Sequence, residues 1–120
     1  MNPVTGLALG RVAIGIVSML SPSLATKLFR LDVDSNPQLP YLSRMFGSRE
    51  IALGALTLAS SGSTRRNLVL VGIAVDGADA VAGHLAGREG SVSRTTSTFL
   101  TLPALGAVAA GIVGILGGKR

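Results

Sequence analysis

Cysteine and tryptophan are absent from the 120 residues, and histidine and tyrosine occur once each. Without cysteine there is no disulfide scaffold, zinc ribbon, iron–sulfur cluster or thiol nucleophile. A single histidine excludes a multi-histidine metal site. No metal and no cofactor is therefore expected. The three phenylalanines and one tyrosine leave little for nucleic-acid bases to stack on. The formal charge of +5 is spread over eleven basic residues at segment edges and inside apolar runs. That pattern argues against a nucleic-acid partner and for a membrane surface. Charged residues make up only 14% and hydrophobic ones 48%. Such a chain is too apolar to be disordered and too short for more than one domain.

Four apolar segments are present, at about residues 4–20, 41–60, 67–87 and 98–117. Each approaches the roughly 20 residues that span a bilayer core of about 30 Å. The connections are short, which places neighbouring helices antiparallel. The expected fold is all-α: an antiparallel four-helix transmembrane bundle, with a short interfacial helix after the first span. That short helix starts at Ser21-Pro22 and carries Leu24, Leu28 and Leu31 on one side. Asp32 to Pro40 is a turn-rich connection, and Ser60 to Arg66 reads as a polar turn. Pro103 falls inside the fourth segment, where membrane helices tolerate it. Arg11 in the middle of the first run, with no basic residue before it, argues against a cleaved signal peptide.

Basic residues divide evenly between the two sides. Arg65, Arg66, Lys119 and Arg120 fall on one, and Lys27, Arg30, Arg88 and Arg94 on the other. The tight pairs Arg65-Arg66 and Lys119-Arg120 favour both termini on the cytoplasmic side of a plasma membrane.

Small residues recur at spacings that let helices approach closely: Gly6 and Gly10, Gly83 and Gly87, Gly106, Ala110, Gly114 and Gly118. Gly47, Gly54 and Gly72 flank the charged positions of the second and third segments. Packing within the bundle is the expected use, and a homo-oligomer interface on the uncharged fourth helix the alternative.

The misplaced charges carry the functional signal. Arg11, Arg44, Arg49, Glu50, Asp76 and Asp79 all fall inside apolar segments, where each costs about 2.5–3.5 kcal/mol at mid-helix. At about 1.5 Å per residue, Arg11 lies about 10 Å deep, Asp76 about 15 Å and Asp79 about 18–20 Å from one face. Arg49 and Glu50 lie about 13–15 Å from the opposite face, so these groups meet near the midplane. Arg44 is nearer the surface. Three arginines against three carboxylates suggest a balanced cluster facing the bundle interior. Asp76 and Asp79 are neighbours on one helix face. With Glu50 they are the candidates for catalytic acid–base chemistry, and their titrations are expected to separate. A register-locking set of salt bridges is the competing use. His84 reads as a polar anchor near the far interface.

Some patterns fail. Asp32-x-Asp34-x-Asn36 opens like a calcium loop, but Pro37 stands where glycine is needed and Ser43 where a bidentate glutamate is needed. Asx turns explain these residues. No phosphate-binding glycine loop and no serine triad is present.

The stretch Leu39-Pro-Tyr-Leu-Ser-Arg-Met-Phe-Gly-Ser-Arg-Glu-Ile-Ala-Leu-Gly54 is similar to the second helix of a family of small four-helix membrane proteins of unknown function. These are common in actinobacteria, including mycobacteria, have fungal relatives and sit near the DoxX-like group. Gly10-Arg11, Pro22 with Leu28-Phe29, and Gly72 to Asp79 also resemble it. The resemblance implies four transmembrane helices in a bacterial plasma membrane, with Arg44, Gly47, Arg49 and the third-helix aspartates as signature positions. It implies no activity, cofactor or substrate. The resulting expectation is a small multi-pass membrane protein with a buried Arg/Asp/Glu cluster, serving as an accessory or as a lipid- or partner-binding protein. Membrane lipids, a second copy or a larger membrane complex are its expected partners. The alternatives are a membrane enzyme of isomerase or hydrolase type on a lipophilic substrate, and an oligomeric proton-coupled carrier.

Overall fold

The computed structural model describes residues 2–117. Gly118, Lys119 and Arg120, used above for a glycine pair and a basic pair, lie outside the described residues. All regular structure among the described residues is helical: α1 (Pro3–Leu20), α2 (Pro22–Leu28), α3 (Leu39–Ala59), α4 (Gly62–Arg88) and α5 (Arg94–Gly117). Of these, α1, α4 and α5 are long and apolar enough to cross a membrane. The α3 helix has the length, but Arg44, Arg49 and Glu50 dilute its hydrophobicity.

Local chemistry sets the ends. The Asn2 side chain accepts the Thr5 N–H at 3.0 Å, and Pro3 occupies the first position of α1. The α3–α4 reversal is tighter than the sequence suggests. It uses Ser60, Ser61 and Gly62, with Gly62 at φ +59°, so Arg65 and Arg66 belong to the first turns of α4 and not to a loop. Likewise α5 starts at Arg94, where Ser93 Oγ accepts the Thr96 N–H at 3.1 Å.

The ends of α2 and α4 share one device. After α4, Gly90 takes φ +77°, the Gly90 N–H bonds the Gly87 carbonyl and the Ser91 N–H bonds the Ala86 carbonyl. After α2, Arg30 takes φ +61°, with its own N–H on the Lys27 carbonyl and the Leu31 N–H on the Thr26 carbonyl. A non-glycine residue in that conformation costs about 1–2 kcal/mol. Two contacts offset it. The Arg30 carbonyl accepts Thr96 Oγ1–H at 2.6 Å, and the guanidinium stacks 5.0 Å from the Phe99 ring centre. These tie α2 to the start of α5. In the following loop, Asp32 accepts the Asp34 N–H and Ser35 Oγ–H. The Ser35 bond holds the Asp32 carboxyl below its ordinary range. This is turn chemistry, as the Asx reading expects.

Packing is dominated by two helix pairs, α1 with α3 and α4 with α5. In the first pair, a methyl placed on Gly15 would lie 2.7 Å from the Gly47 carbonyl oxygen, and one on Gly54 2.6 Å from that of Ala8. Ala8 and Gly15, and Gly47 and Gly54, are seven residues apart. The register of approach runs in opposite senses along the two helices. In the second pair, Gly83 meets Leu100, Gly87 meets Ser97 and Gly111 meets Ile73. Gly114 closes against Val4 and joins α5 to α1.

Two expected packing glycines do something else. Gly10 and Gly106 have nothing within 4 Å of where a methyl would stand. They face open space between α1 and α5, as does the Gly6 wall described below. Four-residue spacing places small residues on a common face but does not supply a neighbour for that face.

Accordingly, Gly15→Val or Gly47→Val should cost at least about 1–3 kcal/mol by overpacking. Gly10→Ala and Gly106→Ala should be neutral or slightly stabilising. Unfolding the purified protein in mixed detergent–dodecyl sulfate micelles measures the difference.

Candidate functional site

An ion-pair network crosses between the two helix pairs at mid-depth. Arg11 comes from α1, Arg49 and Glu50 from α3, and Asp76 and Asp79 from α4. Arg11 grips Asp76 with both ends of its guanidinium, Nη1–Oδ1 at 3.1 Å and Nη2–Oδ2 at 2.5 Å. Nη1 also donates to Glu50 Oε1 at 2.9 Å. Arg49 repeats the arrangement on the next turn. Its Nη2 and Nη1 lie 2.6 and 3.4 Å from the two Asp79 oxygens, and its Nε lies 3.4 Å from Glu50 Oε2. Glu50 thus links the two guanidiniums, and the order is Asp76, Arg11, Glu50, Arg49, Asp79.

The two halves differ in environment. Arg11, Glu50 and Asp76 are all buried, with 6%, 5% and 4% exposure. Glycine makes room for them: Gly72 lies where a methyl would strike Arg11 Nη2, and Gly54 stands beside the Arg11 Cβ. Arg49 and Asp79 are about one-third exposed, and the Arg49 guanidinium also sits 5.1 Å from the Phe46 ring centre.

What they are exposed to is a cavity of about 910 Å³. It runs from the α2 end of the molecule down to the charged groups, between the α1–α3 and α4–α5 pairs. Leu7, Ile14, Leu39, Leu42, Leu100 and Pro103 supply apolar wall. Gly6, Gly10, Gly106, Ala107 and Ala110 line the gap between α1 and α5. All three phenylalanines of the chain, Phe29, Phe46 and Phe99, line it too. The volume falls in the range of roughly 300–1,000 Å³ typical of small-ligand sites.

Five of the six expected cluster residues come together. Arg44 does not: it is exposed, and its Nε points to the Met19 carbonyl at 3.4 Å. The expected balance of three arginines against three carboxylates is corrected to two against three. The side-by-side aspartates are also separated in function, since each engages its own guanidinium. His84 is exposed, apart from the network.

Sequence reasoning missed Ser18. It has 0% exposure, its Oγ has no hydrogen-bond partner among the described residues, and it lines the cavity. Its position seven residues after Arg11, on the same helix face, was the available signal. It also missed the convergence of the phenylalanines, which come from three separate parts of the chain.

Comparison with known proteins finds no matching family model, no matching curated protein and no matching solved structure.

Removing one partner of a buried pair strands a charge and costs about 3–5 kcal/mol. Asp76→Asn and Glu50→Gln should therefore destabilise strongly. Asp79→Asn should cost less than either, because its pair is about one-third exposed on the cavity. Arg44→Ala should stay within about 0.5 kcal/mol of the parent. The same micelle unfolding ranks them, and an Arg44 effect as large as that of Asp76 would contradict the network drawn here.

Proposed function

We propose that this is a small multi-pass membrane protein that takes a lipophilic ligand into its central cavity, with the ion network as the structural floor of the site. Four long helices, α1, α3, α4 and α5, cross the bilayer as an antiparallel bundle, and α2 lies in the interface. The observation that carries the reading is the cavity itself, apolar along its walls and charged at its base. The distribution of side chains supports a membrane setting. Arg11, Glu50, Asp76, Ser18, Thr26 and Thr57 are buried, while Leu20, Leu102, Val113, Leu116 and Val81 point outward. Water would penalise both halves of that pattern, and a hydrocarbon solvent favours both.

The gap between α1 and α5 gives a hydrophobic ligand entry from the bilayer. Binding is favoured over catalysis because every carboxylate on the cavity is hydrogen-bonded to a guanidinium. A membrane enzyme remains the second reading, supported by the partial exposure of Asp79 on the cavity. The resemblance to small four-helix membrane proteins near the DoxX-like group agrees with a bacterial plasma-membrane location. We place both termini on the cytoplasmic side.

The absence of native cysteine makes topology directly measurable. Single cysteines introduced by Ser35→Cys and Ser91→Cys should label from one side of intact cells, and Ser63→Cys from the other. Labelling of positions 35 and 63 from the same side would mean that α3 does not cross. For the cavity, protein extracted gently should carry a small amphiphile visible by native mass spectrometry. Gly10→Leu and Gly106→Leu should fill the gap and lose it while folding normally. Unchanged ligand retention in both variants would count against the cavity as the site.

A further inference from the structure

The protein as a whole carries a formal charge of +5, with eleven basic residues against six acidic ones. Its cavity has the opposite sign. Glu50, Asp76 and Asp79, half of all the acidic residues, line it, against only Arg11 and Arg49 among the bases. Arg30 stacks outside on Phe99, and Arg44 turns to the Met19 carbonyl. One negative charge is therefore unmatched among the described cavity residues, at a depth where an unmatched charge is expensive. The excess is spread along the series Asp76, Arg11, Glu50, Arg49, Asp79, in which Arg11 meets two carboxylates closely and Arg49 pairs mainly with Asp79. Asp79 is the carboxylate with surface left toward the cavity, about one-third exposed.

Ser18 is an independent observation at the same cavity. Its hydroxyl is fully buried and without a partner, a state that normally costs free energy unless something fills it. A hydroxyl both donates and accepts, so Ser18 marks unmet polarity at the cavity without choosing the charge of what meets it. The phenylalanine rings add apolar wall for the body of a ligand, and two of them already carry a guanidinium, Arg49 over Phe46 and Arg30 over Phe99. No group of three His, Asp or Glu side chains that could hold a metal ion converges among the described residues.

Resting on the reading of the cavity as a ligand site, we infer that its ligand is a lipophilic cation: an amphiphile whose ammonium head sits against Asp79 and whose apolar chain lies along the walls toward the α1–α5 gap. The head supplies the positive charge that the network lacks. An anionic amphiphile would add to the excess, and a neutral one would leave it.

The test uses the full-length protein in phosphatidylcholine nanodiscs at neutral pH, with empty nanodiscs to subtract partition into the bilayer. Dodecylammonium, dodecanol and laurate are compared at equal concentration by native mass spectrometry. Dodecylammonium should exceed the other two by about tenfold, the worth of one charge-assisted hydrogen bond. Asp79→Asn, which keeps the shape and removes the excess charge, should bring dodecylammonium down to the level of dodecanol. Equal binding of the amine and the alcohol by the parent protein overturns the inference and leaves the cavity as a ligand site. So does a preference that survives Asp79→Asn, or a preference for laurate. Binding of none of the three would remove the ligand site itself. The three-ligand comparison in the parent protein decides the matter even where the variant does not fold.

Discussion

The Arg11 guanidinium is the group around which the rest of the molecule is arranged. It cannot shed its proton, and it has donors in a fixed plane that must be met wherever it is buried. Halfway along α1 the only adequate partners are carboxylates brought by other helices. Asp76 of α4 meets it end-on across Nη1 and Nη2, and Glu50 of α3 meets Nη1 from a second direction. The space it needs is made by Gly54 and Gly72, where side chains have been reduced to hydrogen. Four residues from two other helices thus have their identities constrained by one cation.

The consequence for architecture is a division of labour. Close glycine approaches hold α1 on α3 and α4 on α5, and these contacts depend on shape. Between the two pairs run charged ties, Arg11 to Asp76 and Arg49 to Asp79, beside the close approach of Gly114 to Val4. Long-range ion pairs hold two surfaces together without requiring that they fill the space between them. A seam made this way can leave room, and the cavity occupies that room. Had the same seam been built from interdigitated leucines, packing to normal interior density would have closed it.

The sequence made the helical class, the short α2 and five of the six cluster residues legible, because each rests on a period or a depth along one helix. Arg44 was misplaced for a physical reason. Depth is a one-dimensional coordinate, and the cluster is also an azimuthal choice. Five residues separate Arg44 from Arg49, which at about 100° per residue turns them roughly 140° apart. The glycines failed similarly. On α1, Ala8 and Gly15 form the face used by α3, while Gly6 and Gly10 form a second small face turned to the cavity. Both faces have spacings that permit close packing, and nothing along the chain says which one receives a neighbour. The tightness of the α3–α4 turn was hidden because Arg65 and Arg66 look like loop residues. At the first turns of a helix emerging at an interface, they are equally at home.

The position of Arg44 matters beyond the correction itself. With it in the cluster, charges would balance and the network would be self-sufficient, a closed lock in a dry interior. With it on the surface, the same network is short by one positive charge. Proteins seldom leave such a deficit in a low-dielectric interior, because the cost grows as water is excluded. A positive charge supplied from outside the chain would close it. The cavity brings that requirement and the means of meeting it to the same place: its apolar walls lead from the α1–α5 gap to Asp79, the carboxylate of the network that is about one-third exposed. The charge imbalance and the open space are thus two outcomes of one arrangement, in which the ion pairs hold the helix pairs together without filling the space between them.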